Sequence, residues 1–346
     1  MPSVSWISSI GLLVSIAAVD VAAGAEANGT QTYDGQDSLT VLSDDSSDAQ
    51  ECLDGLSWKF GRFSVTSSAV EKQAFQRYVS FPSPVPSGNA VNDTVWMQWH
   101  MARDAEGRPI HAPAIVVVHE SGSRMTVGRM FAHSLRTKGI HTFMIQLPNY
   151  GKRREGNRKL DGANLVTTIR QAVADVRRAY DAVKALPHVD KNRIGLQGIS
   201  LGGFVVASSA ALDNCYSNTF IMLAGGDLYD VISNGEKDTA KVRQKLRQAG
   251  YTDEKLRSLL WHIEPTRLAH RLNPKTTWLY SAEYDRVVPM KNALILANAA
   301  KLDTPHHIKM AANHYTGILY YTFIVKHIAT RIQQSDTSVD PSDSKP

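Results

Sequence analysis

Short, continuous apolar runs alternate with longer amphipathic stretches over most of this chain. Segments 76–81 (QRYVSF) and 95–102 (VWMQWHMA) read as strands, separated by the turn-rich PSPVPSGNAVND. The second of them sets Trp96, Gln98 and His100 on one face, which predicts a wetter side. Segment 112–120 (APAIVVVHE) is apolar without alternation, as in a strand buried on both faces. A helix over 128–139, a buried strand over 140–147 and a long helix over 165–186 follow. That helix carries Val173, Val176, Tyr180 and Val183 on one stripe. Next come a strand at 193–199, a helix at 202–212 and a strand at 218–225. Residues 227–272 break this rhythm with charged helical sequence (KVRQKLRQAG, DEKLRSLLWHI). It then resumes with a strand at 276–282, a helix at 291–301, a short strand at 306–311 and a closing helix at 317–332. Such alternation predicts an α/β fold with a mostly parallel central sheet and helices on both faces.

The two ends differ from the middle. Residues 6–19 (WISSIGLLVSIAAV) form an apolar run of signal-peptide length, followed by Ala23 and Ala25 as an A-x-A cleavage site. No Lys or Arg precedes the run, so an uncleaved anchor or a wrongly assigned start is the alternative to a signal peptide over 1–25 and export. Residues 26–57 hold eight acids and no Lys or Arg, a composition that predicts a disordered linker; the tail 333–346 reads the same way. Setting aside the acids of the first 57 residues leaves 24 acids against 38 bases. Because the bases are spread along the chain, they imply solubility rather than a nucleic-acid partner or a stable membrane contact after signal cleavage. Cys52 and Cys215 could form one disulfide in an exported protein. No Cys cluster or His/carboxylate spacing suggests a metal; His306 and His307 are adjacent in a strand and face opposite ways.

The chemistry starts at GLQGISLGG (195–203). A G-x-S-x-G between a buried strand and a buried helix is the nucleophile-elbow pattern, with a purely structural tight turn as the alternative. Ser200 takes a strained conformation there, its glycines permit close approach of neighbouring backbone, and the Leu201 amide at the helix N-terminus is a donor ready for an oxyanion. A nucleophilic serine needs a base, and the base an orienting acid. Glu283 and Asp285 follow the strand at 276–282, and His314 lies between the last strand and the last helix.

In the order Ser, acid, His, the chain resembles the α/β-hydrolase superfamily over about residues 70–332. AEYDRVVP matches that family's G-x-x-D-x-x-V-P with Ala282 at the usual glycine, so the resemblance implies Asp285 as the acid, with Glu283 its neighbour. Asp227, in LAGGDLYD, occupies the other position where such enzymes carry an acid. The turn His119-Glu120-Ser121-Gly122 is similar to that of dienelactone-hydrolase-like members, and the resemblance implies the Ser121 amide as a second oxyanion donor beside Leu201; a plain strand-to-helix turn is the alternative. Glu120 would need a partner there, for which Arg124 is a candidate. Dienelactone hydrolases proper use cysteine where this chain has Ser200, which argues against carrying over their substrate.

The resemblance further implies that 227–272 is a small helical cap on a domain spanning 58–332. Its Leu228, Tyr229, Leu259, Leu260 and Trp261 either line an acyl or alcohol site or form the cap's own core. The basic loop NYGKRREGNRK, with Lys152, Arg153, Arg154, Arg158 and Lys159, should emerge on the same edge of the sheet. It is either a solvated loop or a clamp for an anionic substrate group, with Arg153 and Arg154 as candidates. The expectation is an exported serine hydrolase acting on small-molecule or glycan esters without metal or organic cofactor. A peptidase on the same triad, similar to prolyl-oligopeptidase-like catalytic domains, and a non-catalytic binding protein of this fold are the alternatives.

Overall fold

The computed structural model describes residues 29–40, 43–156 and 162–335. The proposed signal peptide, Arg158 and Lys159 of the basic loop, and the tail beyond 335 lie outside the described residues. In chain order the elements are β1 (Thr30–Gln36), α1 (Ser47–Asp54), β2 (Arg62–Ala69), β3 (Arg77–Pro82), α2 (Ala90–Asp93), β4 (Thr94–His100), β5 (Ala112–Val118), α3 (Thr126–Arg136), β6 (His141–Gln146) and α4 (Gly162–Lys184). After them come β7 (Val189–Ile199), α5 (Leu201–Ala210), β8 (Thr219–Met222), α6 (Leu228–Asn234), α7 (Asp238–Gln248), α8 (Asp253–Trp261), β9 (Thr277–Ala282), α9 (Met290–Ala299), β10 (His307–Met310) and α10 (Tyr321–Gln334).

The described strands form one sheet in the order β1-β2-β3-β4-β6-β5-β7-β8-β9-β10. From β6 to β10 neighbours run parallel, whereas β1 to β4 are antiparallel and β4 joins antiparallel to β6. Every residue of β5 is buried, as its unbroken β-branched run requires. One core, with α1, α4, α5 and α9, covers one face of the sheet; a second, with α3 and α10, covers the other. The chain leaves β5 towards β6 on one side and returns to β7 on the other. Such a reversal of strand order leaves a crevice at the carboxyl ends of β5 and β7, where loops cannot pack over each other.

One expectation fails, and one open question is answered. The acidic stretch read as a disordered linker contributes β1, which pairs along its whole length with β2, and α1, which buries Ala49, Cys52 and Leu53. Its acids are counterions for buried arginines. Asp37 receives Arg178 at 2.6 Å, and Asp48 receives Arg267 at 2.8 Å. Ser38 donates to Asp181, the buried partner of Arg177. Cys52 and Cys215 are both free thiols, so the disulfide that an exported protein could have formed between them is not present.

The wetter face expected on β4 is only partly so: Trp96 is half-buried, while Gln98 and His100 are buried, with the Phe75 ring against His100. Among the described residues no helix is long and apolar enough to cross a membrane.

Candidate active site

Ser200 stands between β7 and α5 with φ 54° and ψ −118°, a backbone conformation L-residues rarely adopt. Its amide donates to the Met222 carbonyl of β8 at 2.8 Å, and its carbonyl accepts from the amides of Gly203 and Phe204, which starts the helix. The glycines around it serve close approach. A Cβ at Gly198 would run into the Gly202 carbonyl, and one at Gly202 would meet the backbone oxygens of Val118 and His119 at the end of β5. The elbow is thus pressed against two neighbouring strands, and the side chain of Ser200 is the part left to project.

His314 lies on the loop after β10. Asn313 holds this loop as a side-chain-capped turn: its carbonyl oxygen accepts from the amides of Tyr315 and Thr316, and its own amide donates to Thr316 Oγ1. The loop after β9 runs beside it, with the Glu283 and Tyr284 amides donating to Met310 and Ala312. This pairing brings Asp285 beneath the imidazole. His314 Nδ1 is 2.7 Å from Asp285 Oδ2, and His314 Nε2 is 3.1 Å from Ser200 Oγ. Asp285 Oδ1 accepts from the amides of Val287 and Val288. With Nδ1–H donating to the carboxylate, Nε2 is left to accept from the serine hydroxyl. Glu283 is exposed, and Asp227 caps α6 by accepting from the Asp230 amide, so neither of the two competing acids bonds this histidine.

The turn after β5 brings Ser121 to the same crevice. His119 is fully buried, and burial pulls its ring down to about 4, so it is neutral. Its Nε2 accepts from the Leu147 amide at 3.1 Å, which ties the turn to the loop after β6. Tyr150 packs edge-on to this ring and donates to the Ser121 carbonyl at 3.0 Å. Leu201 opens α5, where the first amides have no intrahelical acceptor. Glu120 finds its partners in the amides of Val127 and Gly128 at the start of α3, both at 3.1 Å, rather than in Arg124. Its charge is therefore held by a helix N-terminus and turned from the crevice.

No family model matches the chain, and no curated protein matches it by sequence. Solved structures do match it in fold. An acetyl xylan esterase from Paenibacillus sp. R4 superposes with a TM-score of 0.60 at 15% identity, covering 84% of this chain and 96% of that one. Acetyl xylan esterase 1 from Thermoanaerobacterium sp. JW/SL YS485 gives 0.54 at 15% identity, covering 85% and 96%. The chain has the α/β-hydrolase fold. An acylaminoacyl peptidase from Pyrococcus horikoshii also shares it, with a TM-score of 0.51 at 11% identity over 80% of this chain and 49% of that one.

On this hydrolase fold, α6, α7 and α8 fill the insertion between β8 and β9 and roof a cavity of about 800 Å³. Ser200, Leu201 and Ser121 line it. One wall is apolar and comes largely from the cap and α5, with Phe204, Leu228, Val242, Leu260 and Ile263. Leu228 and Leu260 also belong to the cap's own core, which includes Leu246 and Leu256 and takes in Tyr229 and Leu259. Both readings of the cap's apolar residues therefore hold for Leu228 and Leu260. Trp261 is largely exposed, with the Arg267 guanidinium over its ring.

The basic loop divides. Arg153 is not a substrate clamp: it is fully buried, paired with Asp175 at 2.8 Å, and donates to the carbonyls of Asn92 and Gln146. Arg154 is exposed and lines the cavity. Lys152 lies over the rings of Trp96 and Tyr78. Sequence reasoning missed Tyr150 and Phe204. For Phe204 the signal was its place one helical turn after Ser200, which puts it on the same face of α5. Among the described residues no group of three or more His, Cys, Asp and Glu could hold a metal ion.

Proposed function

We propose that this chain is an exported serine hydrolase that cleaves carboxylic esters through an acyl-enzyme. The observation that carries this reading is the hydrogen-bonded series from Asp285 through His314 to Ser200, at the wall of a cavity large enough for an organic ester. In the first step Ser200 Oγ attacks the ester carbonyl while His314 Nε2 takes its proton. Asp285 keeps Nδ1 protonated and stabilises the imidazolium that forms. The tetrahedral intermediate carries its negative charge on the former carbonyl oxygen, and the amides of Leu201 and Ser121 are the donors assigned to it. His314 then returns the proton to the departing alcohol. Water, deprotonated by the same nitrogen, attacks the acyl-enzyme and releases the acid.

The acetyl xylan esterases among the structures of this fold make a glycan ester one substrate class to test. For export, the support is the apolar run at 6–19 followed by Ala23 and Ala25. N-terminal sequencing of protein recovered outside the producing cell checks it, with cleavage after Ala25 expected.

A fluorophosphonate probe tests the mechanism. It is expected to label folded wild type at Ser200 and to leave Ser200→Ala unlabelled. Absence of labelling in folded wild type would leave a non-catalytic binding protein as the better reading. A set of dipeptide amides assayed beside chromogenic esters separates peptide from ester cleavage.

A further inference from the structure

Charge in the cavity wall is one-sided. Among the described lining residues the charged ones are Arg154, Lys241, Lys245 and Asp238. Lys241 and Lys245 are one turn apart on α7, and Arg154 comes from the loop after β6. All three cations are exposed residues that also line the cavity, so they stand where it opens to solvent. Asp238 bonds Lys241 at 3.0 Å and accepts from the Tyr315 hydroxyl, so its charge is shared.

Three further cations of the cap are engaged within the chain, as Lys241 is by Asp238. Arg243 donates to the carbonyls of Ile232, Ser233 and Gly235 at the end of α6; Arg257 lies over the Tyr229 ring, and Lys237 over that of Tyr315. The cations at the opening share the cavity lining with Val242, Leu260, Ile263 and Phe204. An apolar wall screens poorly, so a field from cations beside it reaches into the cavity and selects the sign of what enters.

We infer that the preferred substrate is an amphiphilic ester bearing an anionic group, whose apolar part lies against the cap while its anion sits among Arg154, Lys241 and Lys245. This rests on the serine ester hydrolase reading above and names its substrate class. The reaction is ordinary hydrolysis: the acyl C–O bond breaks, water adds hydroxyl to the acyl carbon and a proton to the alcohol. The anion is unchanged, on whichever product carries it. The three cations act in binding, so their effect falls mainly on KM.

The test uses matched pairs. For an anion on the acid side, 4-nitrophenyl monoesters of adipic and suberic acid are compared with the hexanoate and octanoate. For an anion on the alcohol side, the hexanoate of 4-hydroxybenzoate is compared with that of 4-hydroxybenzamide. Wild type is expected to favour the charged member of at least one pair, and that pair identifies the side. In Arg154→Gln/Lys241→Gln/Lys245→Gln the charged-to-neutral ratio of kcat/KM is expected to fall about tenfold, chiefly through KM.

Wild type alone gives a second measure that needs no variant to fold. The ratio should shrink as salt rises from about 0.01 M to about 1 M, because the screening length drops from about 30 Å to about 3 Å. A ratio that stays constant with salt, or no preference for either charged ester, would overturn the proposal. Hydrolysis of every ester by Ser200→Ala at the wild-type rate would instead overturn the serine hydrolase reading.

Discussion

His314 Nδ1 lies 2.7 Å from Asp285 Oδ2, while the other oxygen of that carboxylate is fixed by the amides of Val287 and Val288. The carboxylate has no freedom to turn, so it dictates which imidazole nitrogen carries the proton. In Asp285→Asn the two amides would hold the side-chain oxygen and present its NH2 to Nδ1. The ring must then carry its proton on Nε2, facing Ser200, where it cannot act as a base. A loss on the order of 10⁴-fold in kcat is expected. Glu283→Gln, at an exposed position with no bond to the histidine, should leave kcat within about twofold. Steady-state kinetics on a chromogenic ester checks both.

The backbone of Ser200 stores strain that a glycine would not. Ser200→Gly is expected to be inactive and more stable. The relief of about 1–3 kcal/mol is partly offset by the greater entropy of glycine in the unfolded chain. A rise of a few degrees in Tm is expected, measured beside Ser200→Ala, which keeps the strain. A Tm for the glycine variant no higher than that of the alanine variant would show that no strain is stored there.

Acid should unfold this protein early. Burial pulls His100, His119, His141 and His307 down to about 4. The unfolded chain binds protons on these rings at about 6.5, well before the folded chain does. Stability is therefore full above about 6.5 and declines as the pH falls to about 4, each ring removing up to about 1.4 kcal/mol per pH unit. Urea midpoints across this range check the slope; a flat profile would contradict the buried, neutral state of these histidines.

Arg153 and Arg154 are neighbours with different tasks. Arg153→Met strands Asp175 as an unpaired carboxylate in the core and is expected to destabilise by about 3–5 kcal/mol. Restoring balance with Asp175→Leu should recover much of that loss. Arg154→Gln should change stability by less than about 0.5 kcal/mol. Denaturant titration of the variants distinguishes these outcomes.

The parts legible from sequence were those whose signal is local. Continuous apolar runs marked β5 and β6, glycines around Ser200 marked the elbow, and an interruption between β8 and β9 marked the cap. Pairings between distant charges were not legible. Asp37, Asp48 and the arginines they meet on α4 and near residue 267 each look like surface residues on their own. Contacts between segments more than a hundred residues apart bury Asp37 and the two arginines and leave Asp48 partly exposed. α4 is buried around much of its circumference, although its pattern shows a single apolar stripe, and the Asp37–Arg178 pair accounts for one of its buried polar positions. Arg153 was misread for the same reason, since a run of bases predicts solvent and it is Asp175 with the Asn92 and Gln146 carbonyls that brings one of them inside.

Leu228 and Leu260 serve both as wall of the cavity and as part of the cap's core. Enlarging the cavity on that side removes the packing that holds the roof in place, so a wider acyl site would come with a looser cap. Ser87, Thr167 and Thr168, which also line the cavity, are not part of that core. Adaptation to new substrates is thus freer at those three polar positions than at the two leucines, and that difference is set by how the roof is built.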